Sequence, residues 1–115
     1  MTDSVEYRNV SRETWQQFES LIAKQENRLT NYLDQLLWWN QKVNLVSRDA
    51  SRPLVWKHVT HSLLPLVLNL LPEHLLTIDI GTGGGLPGLP LTIAAPTHNF
   101  LLNDINFKKI AAVRQ

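Results

Sequence analysis

From Trp15 to Leu37 the apolar positions Trp15, Phe18, Ile22, Leu29, Tyr32, Leu33, Leu36 and Leu37 recur at steps of three, four and seven. That spacing predicts an amphipathic helix with one buried stripe. Ser11 stands ahead of Arg12-Glu13-Thr14 as a candidate N-cap. The polar stretch from Gln25 to Thr30 leaves open whether there is one helix or two. Trp38 and Trp39 are adjacent, so they cannot share a stripe; one is expected in the core and the other at a lip or contact surface. Lys42 to Ser47 leaves the helix, and Ser51-Arg52-Pro53 reads as a loop. A second helical segment is expected over about Leu54 to Leu71, kinked or divided by Pro65 and closed by Pro72.

The pattern then changes. Leu75-Leu76-Thr77-Ile78-Asp79-Ile80 is a short apolar run ended by Gly81, as a buried parallel strand would be. Pro90 suits the first turn of a helix, where its missing N–H costs nothing; Leu91 to Ala95 continue that helix and Pro96 stops it. Phe100 to Asp104 is a second strand candidate, and Lys108 to Gln115 opens another helix. The order strand, helix, strand, helix predicts an α/β fold with a βαβ unit and a right-handed crossover.

Composition narrows the class. The chain has 115 residues, 43% hydrophobic and 18% charged, which suits one small globular unit. Eleven Lys and Arg stand against ten Asp and Glu, a net charge of +1 that does not advertise a polyanion partner but leaves room for a local basic face. Cysteine is absent, which excludes disulfides and thiolate metal sites and is compatible with a reducing, cytoplasmic setting. The first ten residues carry no apolar secretory segment. The apolar run from Leu63 to Leu76 is too short and too interrupted to span a bilayer.

The candidate chemistry lies in TIDIGTGGGLPGLPLTIAAP, Thr77 to Pro96, with four glycines in the five positions from Gly81 to Gly85. A phosphate-cradling P-loop needs Lys-Ser or Lys-Thr after its last glycine, and Gly88 is followed by Leu89-Pro90, so that reading fails. Gly83, Gly85 and Gly88 match the dinucleotide pattern G-x-G-x-x-G, with Asp104 about twenty residues on as a ribose acceptor. Asp79, expected at the strand tip facing the ligand, would repel a pyrophosphate. Asp79-Ile80-Gly81-Thr82-Gly83-Gly84-Gly85 matches D-x-G-x-G-x-G, the pattern of class I methyltransferases that use S-adenosylmethionine. That ligand carries a sulfonium and an ammonium, which an acidic strand tip favours. The glycines admit close backbone approach, and Asp104 could accept from both ribose hydroxyls. The plainer alternatives are a tight turn for the glycines and a helix N-cap for Asp104.

LLWWNQKVNLVSR, KHVTHSL, IDIGTGGGLPGLPLTIAAP and LLNDINFKKI, in that order, resemble the RsmG family, also called GidB. The resemblance covers about Leu36 to Gln115. It implies a methyltransferase acting on the N7 of a guanine in small-subunit ribosomal RNA, with S-adenosylmethionine as cofactor. It implies residues 1–73 as an N-terminal helical region and 74–115 as the start of a Rossmann-like cofactor domain. Family members are considerably longer, so the expectation is a truncated chain, not active alone.

By the same resemblance the cofactor residues are Asp79, Gly81, Gly83, Gly85, Leu86 and Asp104. Lys108 and Lys109 match a basic pair, and Asn40, Asn44, Ser47 and Arg48 the polar positions of an N-terminal signature. His58 matches the histidine of the second helix. Ile105 and Phe107 depart from the family's usual residues there, as does His61 where many members carry Asp. Arg48, Arg52, Lys57 and His58 are the RNA-contact candidates, with a solvated helix face as the alternative for Arg52 and Lys57. His58 and His61 lack an apparent third partner for a metal. No catalytic residue is implied, because a guanine N7 needs no deprotonation.

Overall fold

The computed structural model describes residues 9–47 and 51–114, with the side chains of Phe107 and Lys108 outside that description. The stripe becomes one helix, α1 (Arg12–Asn40), of 29 residues. Ser11 Oγ accepts from Thr14 N at 3.1 Å and caps it. The stretch Gln25–Thr30 does not break the helix. It contains no Gly or Pro, and the stripe passes through it to Leu29, which is fully buried with Leu33 and Leu36 one and two turns on.

The second helical segment begins and ends earlier than its apolar pattern suggests. Helix α2 spans Arg52–His61 and α3 only Leu64–Val67. Ser51 is not loop but the cap of α2, accepting from Leu54 N, and Pro53 sits in the first turn where no N–H is needed. Pro65 starts α3 rather than kinking a longer helix, because the break at Ser62 and Leu63 places it in a first turn.

Strand β1 (Leu76–Ile80) pairs in parallel with β2 (Asn99–Asn103), from Leu76 opposite Asn99 to Ile80 opposite Asn103. The crossover carries α4 (Gly88–Ala94), and α5 (Phe107–Val113) follows β2. This is a mixed α/β arrangement, with α1 packed on α2, α3 and α4. Phe18, Leu29, Leu33 and Leu36 of α1 meet Val55 and Val59 of α2, Leu63, and Leu91 of α4 in one core. Each such side chain contributes roughly 1.5–3 kcal/mol by leaving water.

The expectation of a buried strand is corrected. Alternate residues of each strand turn toward the helices: Phe100 packs on the core, and Leu102 lies against Gly88. The other set, Leu76, Ile78, Ile80 and Leu101, forms an open apolar face, with Ile80 81% exposed. Among the described residues the helices cover only one side of the sheet, so period-two burial replaces the continuous burial of a two-sided sheet. No helix among the described residues is long and apolar enough to cross a membrane.

Candidate functional site

The glycine loop joins the end of β1 to α4 and is held from three directions. The first hold comes from β1. Asp79 Oδ2 accepts from Thr82 Oγ1 at 2.7 Å and from Gly88 N at 3.0 Å. One oxygen thus ties the strand, the loop and the first amide of α4 together. Such charge-assisted bonds are stronger than neutral ones. Thr82, buried, also donates its N–H to Asn103 O at 2.8 Å, fastening the loop to the neighbouring strand.

The second hold comes from the end of β2. Asp104 Oδ2 accepts from Gly83 N at 2.9 Å, and Oδ1 from Asn106 N at 2.8 Å. Those two backbone N–H groups, helped by the charge of Lys109, hold its carboxyl below the ordinary carboxylate range against a smaller opposing effect of burial. Asp104 is not the N-cap of the following helix. Asn106 takes that position, its Oδ1 accepting from Lys109 N at 3.3 Å.

The third hold comes from α1. Tyr32 Oη donates to Gly84 O at 2.7 Å. A Cβ on Gly84 would stand 2.6 Å from Leu36 Cδ1 and 3.1 Å from Leu45 Cβ, so glycine lets the loop settle this close to the helix without pushing either leucine aside. Leu45 is itself placed by Asn40, whose Oδ1 accepts from Leu45 N at 2.8 Å and Val46 N at 2.9 Å. Burial, and then the negative charge of Asp79, push the Tyr32 hydroxyl well above its ordinary value, so it remains a donor.

The loop's backbone needs its glycines. Gly81, Gly83 and Gly85 all have positive φ, and the Leu86–Pro87 peptide is cis. Apart from its chain neighbours, no described protein atom lies within 4 Å of where a Cβ on Gly81 would stand, whereas Gly84, Gly85 and Gly88 are enclosed. The open side of the loop is therefore at Gly81. Leu86 is half-buried and packs toward the core.

The structure thus brings Asp79, Gly81, Gly83, Gly85, Leu86 and Asp104 into one loop and its two strand tips. It does not join the RNA-contact candidates to them. Lys57 and His58 are exposed on α2, and Arg52 is paired with Asp34 of α1. Arg48 lies outside the described residues, as does the side chain of Lys108. Among the described residues no three His, Asp or Glu side chains converge as a metal ion would require. Neither adjacent tryptophan is fully buried. Trp39 lines a small cavity with Tyr32, Leu36, Leu45, Gly84 and Leu89, while Trp38 is 52% exposed with Lys42 Nζ 4.7 Å over its ring.

Three participants escape a reading of the sequence: Tyr32, Leu45 and Thr82. Tyr32 left a signal, as an aromatic with a polar tip inside an apolar stripe, where its hydroxyl must find a partner. Leu45 left none, because its contact spans nearly forty residues of chain.

Residues 25–115 match the family described as rRNA small subunit methyltransferase G, GidB. Among curated relatives, the ribosomal RNA small subunit methyltransferase G of Chlorobium luteolum is 44% identical over 87% of this chain and 45% of its own length. That of Chlorobium limicola is 48% identical over 80% of this chain and 42% of its own length. That of Salinibacter ruber is 38% identical over 87% and 46%. The chain therefore spans less than half the length of these relatives. No solved structure matches. A match over most of the chain that includes the glycine loop and both acidic strand tips is a family signature, and the chain belongs to the GidB family, rRNA small subunit methyltransferase G.

Proposed function

We propose that this chain forms the cofactor-loop portion of an S-adenosylmethionine-dependent methyltransferase acting on the N7 of a guanine in small-subunit ribosomal RNA. One observation carries the cofactor assignment. Two acids, Asp79 and Asp104, flank a positive-φ glycine loop whose open side is at Gly81, and no Lys or Arg side chain hydrogen-bonds that loop among the described residues. A pyrophosphate would meet like charge there. A ligand with a cationic amino-acid end and a neutral diol fits the donor set.

Residues 1–73 would supply a helical cap and 74–115 the start of a class I, Rossmann-like cofactor domain, as in the longer proteins of the family. Asp104 would receive the ribose hydroxyls, since each of its oxygens keeps a lone pair after its backbone bond. Asp79 Oδ1 accepts no hydrogen bond among the described residues, and it would offset the ligand's positive charge. Gly81, Gly83, Gly85 and Leu86 would shape the wall along the amino-acid end. When bound, S-adenosylmethionine supplies an electrophilic methyl group. Guanine N7 presents its lone pair without losing a proton, so the protein's task is alignment rather than general-base chemistry. Trp38, exposed beside Lys42 and next to the loop-facing Trp39, would be the tryptophan expected at a contact surface, and it offers a base a stacking platform. The basic candidates Arg48, Lys57 and His58 would contact phosphates.

Calorimetric titration with S-adenosylmethionine, with NAD in parallel and Asp104→Ala as control, tests the reading. Saturable binding of S-adenosylmethionine alone, weakened by the substitution, is expected. Binding of NAD instead would overturn it. A folded chain that binds neither would instead be a helical interaction module with a vestigial loop.

A further inference from the structure

We infer that Tyr32 is a positioning residue for the cofactor loop: its hydroxyl fixes the Gly84 carbonyl, and through it the conformation in which the loop receives its ligand. The inference rests on the cofactor reading above and adds to it a residue outside the glycine motif, fifty-two positions away along the chain.

The geometry explains why one hydroxyl matters. Gly84 is buried, so its carbonyl depends on a donor close at hand, and Tyr32 Oη at 2.7 Å satisfies it. The same peptide unit carries Gly85 N, which donates to Thr82 O at 2.9 Å. A planar peptide held at both ends cannot rotate. Its neighbours Gly83 and Gly85 are both at positive φ, where glycine has wide freedom and nothing intrinsic selects one conformation. Gly83 N is one of the two groups that hold the Asp104 carboxylate. Turning the Gly84–Gly85 unit would therefore disturb the acid that faces the ribose. Tyr32 sits on a helix whose core residues Leu29, Leu33 and Leu36 are buried, so the donor is carried by a rigid element. Burial and the charge of Asp79 keep the proton on its oxygen.

Without the hydroxyl, the carbonyl keeps its place unpaired or rotates to find water. Either way the loop is less ready for its ligand, and affinity falls by about tenfold, the weight of one net hydrogen bond. The test is calorimetric titration of the chain with S-adenosylmethionine, comparing wild type, Tyr32→Phe and Val59→Ala. Val59 is fully buried on α2 and touches no loop residue by hydrogen bond, so its truncation weakens the fold without touching the clamp. Tyr32→Phe weakened about tenfold, with Val59→Ala close to wild type, is the expected result. Unchanged affinity in Tyr32→Phe overturns the inference, as does equal weakening in both variants. A folded wild type that binds no S-adenosylmethionine removes the cofactor reading, and the inference with it. Amide exchange on the free chain decides independently should Val59→Ala not fold. Faster exchange in Tyr32→Phe confined to residues 82–86 supports the clamp, and faster exchange spread through α1 and α2 overturns it.

Discussion

The glycine loop and the far face of the sheet lie within a few residues of each other, and they are finished to different degrees. The loop is gripped by Asp79, Asp104 and Tyr32, and Thr82 and Gly84 are buried inside it. Beyond it, Leu76, Ile78, Ile80 and Leu101 present apolar side chains that nothing among the described residues covers. The two regions share strand β1, whose alternation sends Asp79 to one side and Ile78 and Ile80 to the other. One strand can therefore be tied into the fold on one face and structurally unpartnered on the other.

This contrast can be attacked experimentally. The largest loss is expected in the core. Leu29→Ala, at a fully buried site, should lower unfolding free energy by about 3 kcal/mol in a denaturant titration. Gly84→Ala comes next, at about 1–3 kcal/mol, because the new methyl meets Leu36 and the Cβ of Leu45. An Ala there as stable as wild type would show that the loop is looser than its contacts indicate.

A smaller effect is expected from acid. The folded Asp104 carboxyl titrates below its ordinary value of 3.8. A lowered value means that its contribution is fully present above the unfolded value and is lost as pH falls through the folded one. Loop anchoring should thus survive mild acid and fail only below the ordinary carboxylate range, as read by amide exchange at Gly83. Loss at pH 5 to 6 would place the anchor elsewhere. The smallest change belongs to the open face. Ile80→Lys should shift stability by no more than about 0.5 kcal/mol, since its side chain already meets water. A loss of several times that in a thermal melt would mean that the face is covered in solution.

The order of elements was legible because its signals are local. Ser11, the stripe through Leu36, Pro90 and the apolar run before Gly81 each act within a turn or two of chain. The acids at the strand tips were legible because the motif fixes their distance from the glycines. What escaped was decided across the chain. Whether Ile78 is buried depends on what lies over the sheet, not on its being isoleucine. The grip of Tyr32 and Leu45 on Gly84 depends on how α1 crosses the loop. Asp104 was expected to face a ligand, and its backbone bonds to Gly83 and Asn106 belong to a turn that no spacing rule announces.

The bond from Gly88 N to Asp79 Oδ2 has a further consequence. It closes a ring of chain from residue 79 to residue 88, with Thr82 fastened inside it to the same oxygen. That ring works as a gauge of length. A residue inserted anywhere within it must be expelled as a bulge or must pull Gly88 off the carboxylate, and a deletion leaves the reach too short. A change of residue type that keeps the backbone path, as at Leu89, leaves the ring intact. Drift in length is not, so evolution in this stretch should proceed by substitution while insertions collect before Thr77 and after Pro96.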